Sequence, residues 1–366
     1  MKILLIGEYS NVHNTLAEAL KSLGHTVVTA SDGDFWKNYS RDISMVRYPG
    51  FFSKFVYFFR LLYLFIFKFR NFDVVQLISS HFLNLKANKH YFFYKLLRRF
   101  NKKFFLGAFG NDFYWVDACL NSDLYRYSDL KFFGKKRFYP SGEALIKEYF
   151  YGPDSALNMY IANDCNFIIS CLWEYHAAYQ RYFRNKEIFI PLPVNVEQII
   201  PASKNVFCGK MNFFIGIQKS RNEYKGTDLL YSALKKLYSD YPDKVEILKA
   251  EDVPFETYQN MMNNADVLLD QAWSYTPAMN GLLAMAKGIV LVGGGEKENY
   301  QILGENVLRP VVNVLPDEDD IYQKLKFLLF HKDYVQKLKI QSVEYINKYH
   351  DYINVAKQYL KIYSSY

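Results

Sequence analysis

The chain alternates between short apolar runs and longer segments in which apolar residues recur at helical spacing. The first run, KILLIG, ends at Gly7 and is typical of a parallel strand buried on both faces. The next segment, HNTLAEALKSLGH, has the helical pattern and a stop at Gly24, and TVVTA then predicts a second strand. This βαβ unit predicts the start of a Rossmann-like parallel sheet.

The alternation continues in two series. Strands are predicted at 72–79, 102–109 and 165–171, and KEIFIPLPVN (186–195) predicts a strand that runs into prolines at a domain boundary. The second series begins near residue 211. It predicts, in order, the strand MNFFIGIQ, the helix GTDLLYSALKKLYSDYP, the strand KVEILKA, the helix PFETYQNMMNNA, the strand DVLLDQA, the helix NGLLAMAKG, the strand IVLVGG and a helical stretch at 317–366.

This order predicts an α/β protein with two Rossmann-like domains and an inter-domain cleft. The 366 residues exceed what one hydrophobic core usually supports. We place the first domain at 1–195 and the second at 196–345, with a linker near 191–204, and expect a C-terminal helix at 346–366 to pack back toward the first domain. Ligands bind outside the carboxyl ends of such strands, here in the cleft.

Composition indicates a globular protein with anionic partners. Half of the residues are hydrophobic, 22% are charged and the net charge is +8, which favours a nucleotide diphosphate or an acidic membrane face as partner. Nucleic acid is disfavoured because no nucleic-acid-binding motif accompanies the charge.

The N-terminus lacks a signal-peptide pattern, which predicts a cytoplasmic protein. The cysteines lack CxxC spacing and predict reduced core thiols, at Cys119, Cys165, Cys171 and Cys208.

The segment 51–69, FFSKFVYFFRLLYLFIFKF, has two interpretations. Lys54, Arg60 and Lys68 interrupt it, which disfavours a membrane span. One interpretation is a helix packed on the sheet; the other joins it to 89–105 as a basic, aromatic surface resting on the inner face of the plasma membrane. The two are compatible if only one face of the helix is buried.

Several common site motifs are absent from the sequence. The loops GEYSNVHN and IGIQKSRN carry only Gly7 and Gly216, so the GxGxxG turn of dinucleotide oxidoreductases is missing. There is no HExxH, CxxC or EF-hand pattern and no GxSxG turn, so the sequence predicts neither a metal site nor a serine hydrolase.

The order of motifs resembles the GT-B fold of retaining glycosyltransferases, particularly glycosyltransferase family four. FDVVQLIS is similar to that family's D-V-V-H-x-H strand, and FGNDFYW (109–115) resembles its H-G-x-D segment. The stretch from DCNFIISC to PLPVNVEQI resembles the strand, serine-bearing turn, helix and P-N-x-V-D linker. EYKGTDLLYSAL resembles K-G-x-x-x-L-x-x-A-L, and NNADVLLDQAWSYTPAMNGLLAMAKGIVLV resembles A-D-V…E-A-M-A-x-G-x-P-V. The similarity covers nearly the whole chain.

The resemblance implies a hexosyltransferase-like enzyme of bacterial surface polysaccharide biosynthesis. It would move a sugar from a nucleoside diphosphate sugar to a glycan or lipid-linked acceptor, with retention of the anomeric configuration. The first domain would bind the acceptor and the second domain the donor. The resemblance implies no metal, no covalent nucleophile and no cofactor other than the donor.

Three cations lie between a predicted strand and helix, in QKSRNEYKG. Lys219, Arg221 and Lys225 could act with the helix N-terminus on a diphosphate, whose charge grows as the glycosidic bond breaks. In the resembling family the lysine and an arginine six residues earlier contact the diphosphate; that earlier position is Lys219 here, and Arg221 lies two residues on. A solvated charge cluster is the alternative.

The chain departs from the family at its E-x7-E pattern. The aligned residues are Tyr275 and Leu283, so both carboxylates are missing. Three explanations are open: the nucleoside is recognised through Asn280, Tyr275 or backbone groups; the alignment is off by one helical turn; or donor binding is lost. We favour the first, because Asn280 and Gly281 suit an amide-rich anion-binding turn, although close helix–sheet packing explains the small residues nearly as well.

Other candidates follow predicted strands. Asp270 and Gln271 end a core strand and could meet the donor sugar. Asp112 is the catalytic candidate on the acceptor side, with Asn111 beside it; capping of the next helix is the alternative, and Phe109 occupies the family's histidine position. The loop after the first strand offers three more acceptor-side candidates, Ser10, Asn11 and His13, the last with a purely structural alternative.

Two rival functions remain at this point. A sugar-nucleotide epimerase would need acidic acid–base residues in the cleft, and the sequence supplies few. A non-catalytic GT-B-like protein that binds a partner or a membrane would explain the missing carboxylates.

Overall fold

The computed structural model describes residues 1–34, 37–199 and 209–365. The last part of the predicted linker, 200–204, and the predicted core thiol Cys208 lie outside these residues. The other three cysteines are free thiols, and all three are buried.

The first sheet has seven parallel strands in the order β3-β2-β1-β4-β5-β8-β9. Every strand predicted from an apolar run in the first series is present, because such runs are buried on both faces of the sheet. The two-residue edge strand β3 was not predicted. The strands are β1 (Lys2–Ile6), β2 (Thr26–Ser31), β3 (Ile43–Ser44), β4 (Val74–Leu77), β5 (Lys103–Ala108), β8 (Phe167–Ser170) and β9 (Glu187–Phe189).

Seven helices belong to this first part of the chain. They are α1 (Val12–Ser22), α2 (Ser53–Tyr63), α3 (Ala87–Phe100), α4 (Phe113–Asn121), α5 (Pro140–Tyr149), α6 (Pro153–Asp164) and α7 (Trp173–Gln180). Helix α2 continues into a π-helical turn, Leu64–Lys68. A small antiparallel hairpin, β6 (Lys131–Phe132) and β7 (Lys135–Lys136), is inserted between α4 and α5.

The second sheet has five parallel strands in the order β11-β10-β12-β13-β14. They are β10 (Met211–Ile217), β11 (Val245–Glu251), β12 (Val267–Leu269), β13 (Val290–Gly293) and β14 (Val312–Asn313). The helices are α8 (Asn222–Lys225), α9 (Thr227–Asp240), α10 (Phe255–Met262), α11 (Met279–Ala286), α12 (Lys297–Ile302), α13 (Glu318–Phe330), α14 (Lys332–Tyr349) and α15 (Tyr352–Ser364). The strands and helices predicted for this half are present.

Both sheets have a topological switch point. In the first sheet, β2 and β4 lie on opposite sides of β1; in the second, β11 and β12 lie on opposite sides of β10. The loops after the two central strands therefore diverge and leave a crevice at the carboxyl edge, which is where open α/β sheets bind ligands.

The last helix belongs to the second part of the sequence but packs on the first sheet. Helix α15 contacts α1, and the buried Tyr363 ring meets the Phe105 ring edge-on at 4.8 Å. The Tyr363 hydroxyl also donates a hydrogen bond to Gln76 Oε1 of β4. One hydrophobic cluster runs from α1 through α15 to α11, so the two sheets share a continuous core.

We expect Tyr363→Ala to destabilise the protein by about 3–5 kcal/mol, because it leaves a cavity between α15 and the first sheet. Urea unfolding measures the change. Tyr238→Ala is the control, since the Tyr238 ring is 44% exposed and its loss should cost less than about 1 kcal/mol. Equal losses in the two variants would contradict the role given to α15.

Candidate active site

Two loops at the switch point of the second sheet form the centre of the candidate site. The loop after β10 contains a 3-10 turn at Lys219–Arg221, followed by α8. Gly226 joins α8 to α9 with a φ of +72°, and a Cβ there would lie 2.8 Å from Trp273 Cδ1. The amide of Ala272, in the loop after β12, donates to the carbonyl of Lys225 at 2.9 Å, so the two loops are held together.

Lys225 is a half-buried cation beside the switch point. No hydrogen bond or ion pair engages its ammonium group in the part of the chain that the structure describes. Burial lowers the pKa of Lys225; Arg221 and Lys37 act in the same direction, and Asp270 opposes them. A partly desolvated, unneutralised charge favours binding of an anion. Lys37 was missed by the sequence analysis because it comes from the first domain.

The other two predicted cations differ from Lys225. Arg221 is exposed, and its guanidinium lies 5.1 Å from the centre of the Tyr224 ring. Lys219 is paired with Glu251 at 3.0 Å, and its side chain is 74% exposed. This ion pair raises the pKa of Lys219. The structure therefore brings Arg221 and Lys225 together and pairs Lys219 with a carboxylate, and the assignment of Lys219 to donor binding stays a prediction.

A hydrogen-bond chain joins the end of β12 to the first turn of α11. Asn280 Nδ2 donates to Asp270 Oδ1 at 3.0 Å, and the Tyr258 hydroxyl donates to Asn280 Oδ1 at 3.0 Å. Asp270 is buried, and the half-buried Gln271 follows it. These hydrogen bonds hold the Asp270 carboxylate at the switch point. Tyr258 was not among the sequence-predicted residues because nothing in the local pattern of α10 marks it.

Gly281 has a packing role. A Cβ at this position would lie 2.7 Å from Leu291 Cδ2, so glycine leaves room for the Leu291 side chain between α11 and β13. Leu283 packs against the hydrophobic cluster that the two sheets share. No side chain caps the first turn of α11. Of the two explanations for the small residues, the structure supports helix–sheet packing for Gly281.

Tyr275 is not positioned to contact a nucleoside, contrary to the sequence-based assignment. Its ring is 1% exposed and lies between the rings of Tyr127 and Trp173, each with its centre 4.9 Å away. Its hydroxyl accepts hydrogen bonds from the backbone amides of Arg126 and Tyr127, at 2.6 and 3.3 Å. The residue in place of the first carboxylate is thus used in a contact between the domains.

The segment around the β6–β7 hairpin binds the second domain. Arg126 forms ion pairs with Glu296 at 2.8 Å and with Glu298 at 2.6 Å. The Arg137 guanidinium lies 3.5 Å from the centre of the Trp273 ring, close to Gly226. Sequence reasoning missed this contact because the paired residues lie more than 130 positions apart.

A buried carboxylate of α7 also crosses between the domains. Glu174 Oε1 accepts hydrogen bonds from the amides of Tyr275 and Thr276 at 2.6 and 3.0 Å, and Oε2 accepts one from the Thr276 hydroxyl. Burial raises the pKa of Glu174, and these hydrogen bonds oppose the rise. Glu174 therefore fixes the loop that leads into α11.

On the first-domain side, Asp112 has the capping role that the sequence analysis kept as the alternative. Its Oδ1 accepts from the Trp115 amide at 3.0 Å, and its Oδ2 accepts from the Tyr179 hydroxyl at 2.6 Å. Burial raises the pKa of Asp112 to about 6. The neighbouring Asn111 donates to the Tyr224 hydroxyl of α8 at 2.9 Å, so it contacts the loop after β10 that carries Arg221 and Lys225.

The loop after β1 is held by internal hydrogen bonds. His13 is buried; its Nδ1 contacts the Gly7 carbonyl at 2.8 Å, and its Nε2 contacts Gln76 Nε2 at 3.1 Å, so the structure gives it the structural role. Ser10 receives a hydrogen bond from Lys37 Nζ at 3.3 Å, which places it beside the cations. Asn11 adopts a left-handed φ of 68° and precedes α1.

Glu8, in the same loop, is a buried acid that the sequence analysis did not select. Its carboxylate accepts hydrogen bonds from the first-turn amides of His13 and Asn14, at 3.2 and 2.8 Å. Burial raises the pKa of Glu8 to about 8, although these bonds act in the opposite direction. In residues 1–34, 37–199 and 209–365 no cluster of His, Cys, Asp or Glu side chains could hold a metal ion.

We expect Tyr275→Phe to cost about 1–3 kcal/mol of unfolding free energy, because two buried amides lose their acceptor. Tyr275→Ala should cost about 3–5 kcal/mol through loss of the ring from its stack. Urea unfolding checks both values, with Tyr238→Phe at an exposed ring as the control. Wild-type stability in Tyr275→Phe would contradict the hydrogen bonds given to its hydroxyl.

We expect Glu8 to make folding less favourable as the pH rises. Its pKa in the folded chain lies above the usual value of 4.5, so the folded state holds an extra proton between pH 4.5 and about 8. The corresponding stability is complete below pH 4.5 and is lost as the pH approaches 8. Glu8→Gln should therefore reduce the difference in unfolding free energy between pH 5 and pH 8, whereas Glu344→Gln, at an exposed position, should not. An unchanged difference in Glu8→Gln would refute the shift.

No protein-family model matches the sequence, and no curated protein matches it either. The chain is similar in structure to sucrose-phosphate synthase from Thermosynechococcus elongatus, with 12% identity over 99% of this chain and 98% of that chain and a TM-score of 0.65. It is also similar to HepE from Anabaena in complex with UDP and glucose, with 9% identity, complete coverage of both chains and a TM-score of 0.63. WaaG, a glycosyltransferase involved in lipopolysaccharide biosynthesis, gives 11% identity, complete coverage and a TM-score of 0.53. The chain therefore has the two-domain GT-B fold that the motif order predicted.

Proposed function

We propose that this protein is a glycosyltransferase that moves a sugar from a nucleoside diphosphate sugar to a glycan or lipid-linked acceptor, in surface polysaccharide biosynthesis. The observation that carries the proposal is the half-buried Lys225 ammonium at the switch point of the second sheet, which has no partner among the described residues and has Arg221 beside it. Lys37 of the first domain also acts on Lys225, but it is itself paired with Asp34. Two cations beside a crevice favour a ligand with more than one negative charge, and a diphosphate has that charge.

The proposed chemistry uses fixed positive charge. As the bond between the sugar and the diphosphate breaks, negative charge grows on the leaving phosphate oxygens, and preorganised cations stabilise it more than they stabilise the intact donor. Lys225 precedes α9, whose first-turn amides and helix dipole favour an anion at the same place. We propose that the sugar nucleotide is the only small-molecule partner needed and that the reaction retains the anomeric configuration, as the motif resemblance implies.

The donor's nucleotide and sugar need further contacts. HepE, a structural neighbour, has been solved with UDP and with UDP-glucose. We propose that Asp270 and Asn280 meet hydroxyl groups of the donor in this chain, because their hydrogen bond places a buried carboxylate and an amide at the carboxyl edge of β12. This pair would replace the carboxylates that the chain lacks at Tyr275 and Leu283.

A second candidate function is a non-catalytic GT-B-like protein. The observation in its favour is the use of Tyr275 in the aromatic stack between the domains, together with the apolar Leu283 at the position of the second carboxylate. Such a protein would keep the fold and lose nucleotide binding, which a direct binding measurement tests.

We expect isothermal calorimetry with a panel of nucleoside diphosphates to show binding of at least one. Lys225→Ala should weaken that binding by about 10- to 100-fold, the usual worth of a charge-assisted hydrogen bond. Lys219→Ala is the matched control: it removes the same charge from the same loop, but from a side chain paired with Glu251, and should change the affinity less than about threefold.

Two results would count against the enzyme. Failure of every nucleoside diphosphate to bind the folded protein would favour the non-catalytic candidate. Equal effects of the two lysine variants would show that the bound phosphate is not held at Lys225.

A further inference from the structure

The turn before α2, helix α2 itself and its π-helical turn carry a line of exposed aromatic side chains. Phe51 is 95% exposed, and the four rings that follow it at intervals of four residues are between 51% and 67% exposed. We call this line the aromatic ridge; it consists of Phe51, Phe55, Phe59, Tyr63 and Phe67. Exposed apolar patches of this kind mark interaction sites in globular proteins.

The opposite face of the same helix is firmly packed, so the ridge is not exposed because the helix is loose. Tyr57, Leu61, Phe65 and Phe69 are at most 3% exposed. Phe65 meets Phe93 of α3 edge-on, with ring centres 4.7 Å apart. One set of residues at four-residue spacing therefore fixes the helix to the domain, and the other set faces outward.

The sequence that includes the ridge is strongly basic. Between Asp42 and Asp112 the sequence contains twelve lysine and arginine residues and one acidic residue, Asp73, so this segment exceeds the net charge of +8 of the whole chain. Lys54 and Lys68 are exposed on the ridge helix itself, and Lys89 on the neighbouring α3. The surface thus combines projecting aromatic rings with exposed lysine side chains.

We propose that the aromatic ridge is a docking surface for an anionic lipid bilayer. Aromatic rings insert at the level of the headgroups, and the flexible lysine side chains reach anionic phosphates. A second copy of the chain is a poorer occupant, because a symmetric interface would bring these cations against one another. The helix rests on the bilayer and does not cross it: no helix among the described residues is long and apolar enough to span a membrane.

The ridge begins at the edge of the sheet that carries the cleft. The segment before α2 follows the carboxyl end of β3, and the Asn84 amide, in the loop after β4, donates to the Tyr57 hydroxyl at 3.3 Å. Docking would therefore bring the cleft edge of the first domain close to the headgroups. This step rests on the proposed sugar transfer: with the cleft edge at the headgroups, the acceptor is of the lipid-linked class and not a free glycan.

Sedimentation with vesicles tests the docking surface without any sugar nucleotide. The full chain should sediment with vesicles of phosphatidylglycerol and phosphatidylcholine, and binding should fall as salt rises. Phe55→Ser with Phe59→Ser should weaken binding by about tenfold or more. The control is Ile340→Ser, on a C-terminal helix and 69% exposed, which should bind like wild type.

The charge contribution has its own pair of variants. Lys54→Glu with Lys68→Glu should weaken binding to the anionic vesicles by about tenfold or more. Lys337→Glu with Lys357→Glu reverses the same number of exposed charges elsewhere and should lose much less. Circular dichroism of each variant verifies that it is folded.

Three results would overturn the proposal: no sedimentation of the wild-type chain with anionic vesicles, wild-type binding by the Phe55 and Phe59 double variant, or a dimer that this double variant dissociates in analytical ultracentrifugation. The last result would assign the ridge to a second copy of the chain. Nucleoside diphosphate binding is measured separately. If the chain binds a nucleotide but does not sediment with vesicles, only the docking surface is refuted. If it sediments with vesicles but binds no nucleotide, only the proposed enzymatic function is refuted.

Discussion

A buried carboxylate from the first domain fixes the part of the second domain on which the candidate site depends. Glu174 accepts hydrogen bonds from two consecutive backbone amides, those of Tyr275 and Thr276, in the loop between β12 and α11. Leaving such amides buried and unpaired is costly, so the loop keeps its position relative to α7. The same loop donates to the Lys225 carbonyl through Ala272. Glu174 thus holds the loop after β12 against the first domain. Through Ala272, that loop in turn holds the loop that carries Lys225.

The aromatic stack and the ion pairs around this loop reinforce the same arrangement. Tyr275 fills the space between Tyr127 and Trp173, and Arg126 joins two glutamates near the start of α12. Tyr275 therefore serves a contact between the domains, while Lys225, beside the crevice, has no partner among the described residues.

The aromatic content of the chain has two distinct uses. Many of its rings are in the core or between the domains, where they pack edge-on or in offset stacks. The rings of the aromatic ridge instead project from the first domain among cations. The proposed transfer connects the two uses, since a bilayer at the ridge would lie next to the cleft edge of the first domain.

The sequence by itself determined the main strands of both sheets and the order of the two halves, because burial on both faces of a parallel sheet produces continuous apolar runs and covering helices show a 3.6-residue period. Short elements such as β3 and the β6–β7 hairpin, which lack such runs, were not predicted. The sequence also placed Lys225 and Asp270 correctly after strands, since that depends only on local order. Tertiary structure alone decided the neighbours of the candidate residues. These are Glu251 paired with Lys219, the rings stacked on Tyr275, and the like-charged Lys37 near Lys225. These neighbours come from other strands or from the other domain. A local pattern carries no information about them, because their proximity arises only when the sheets and the shared core assemble.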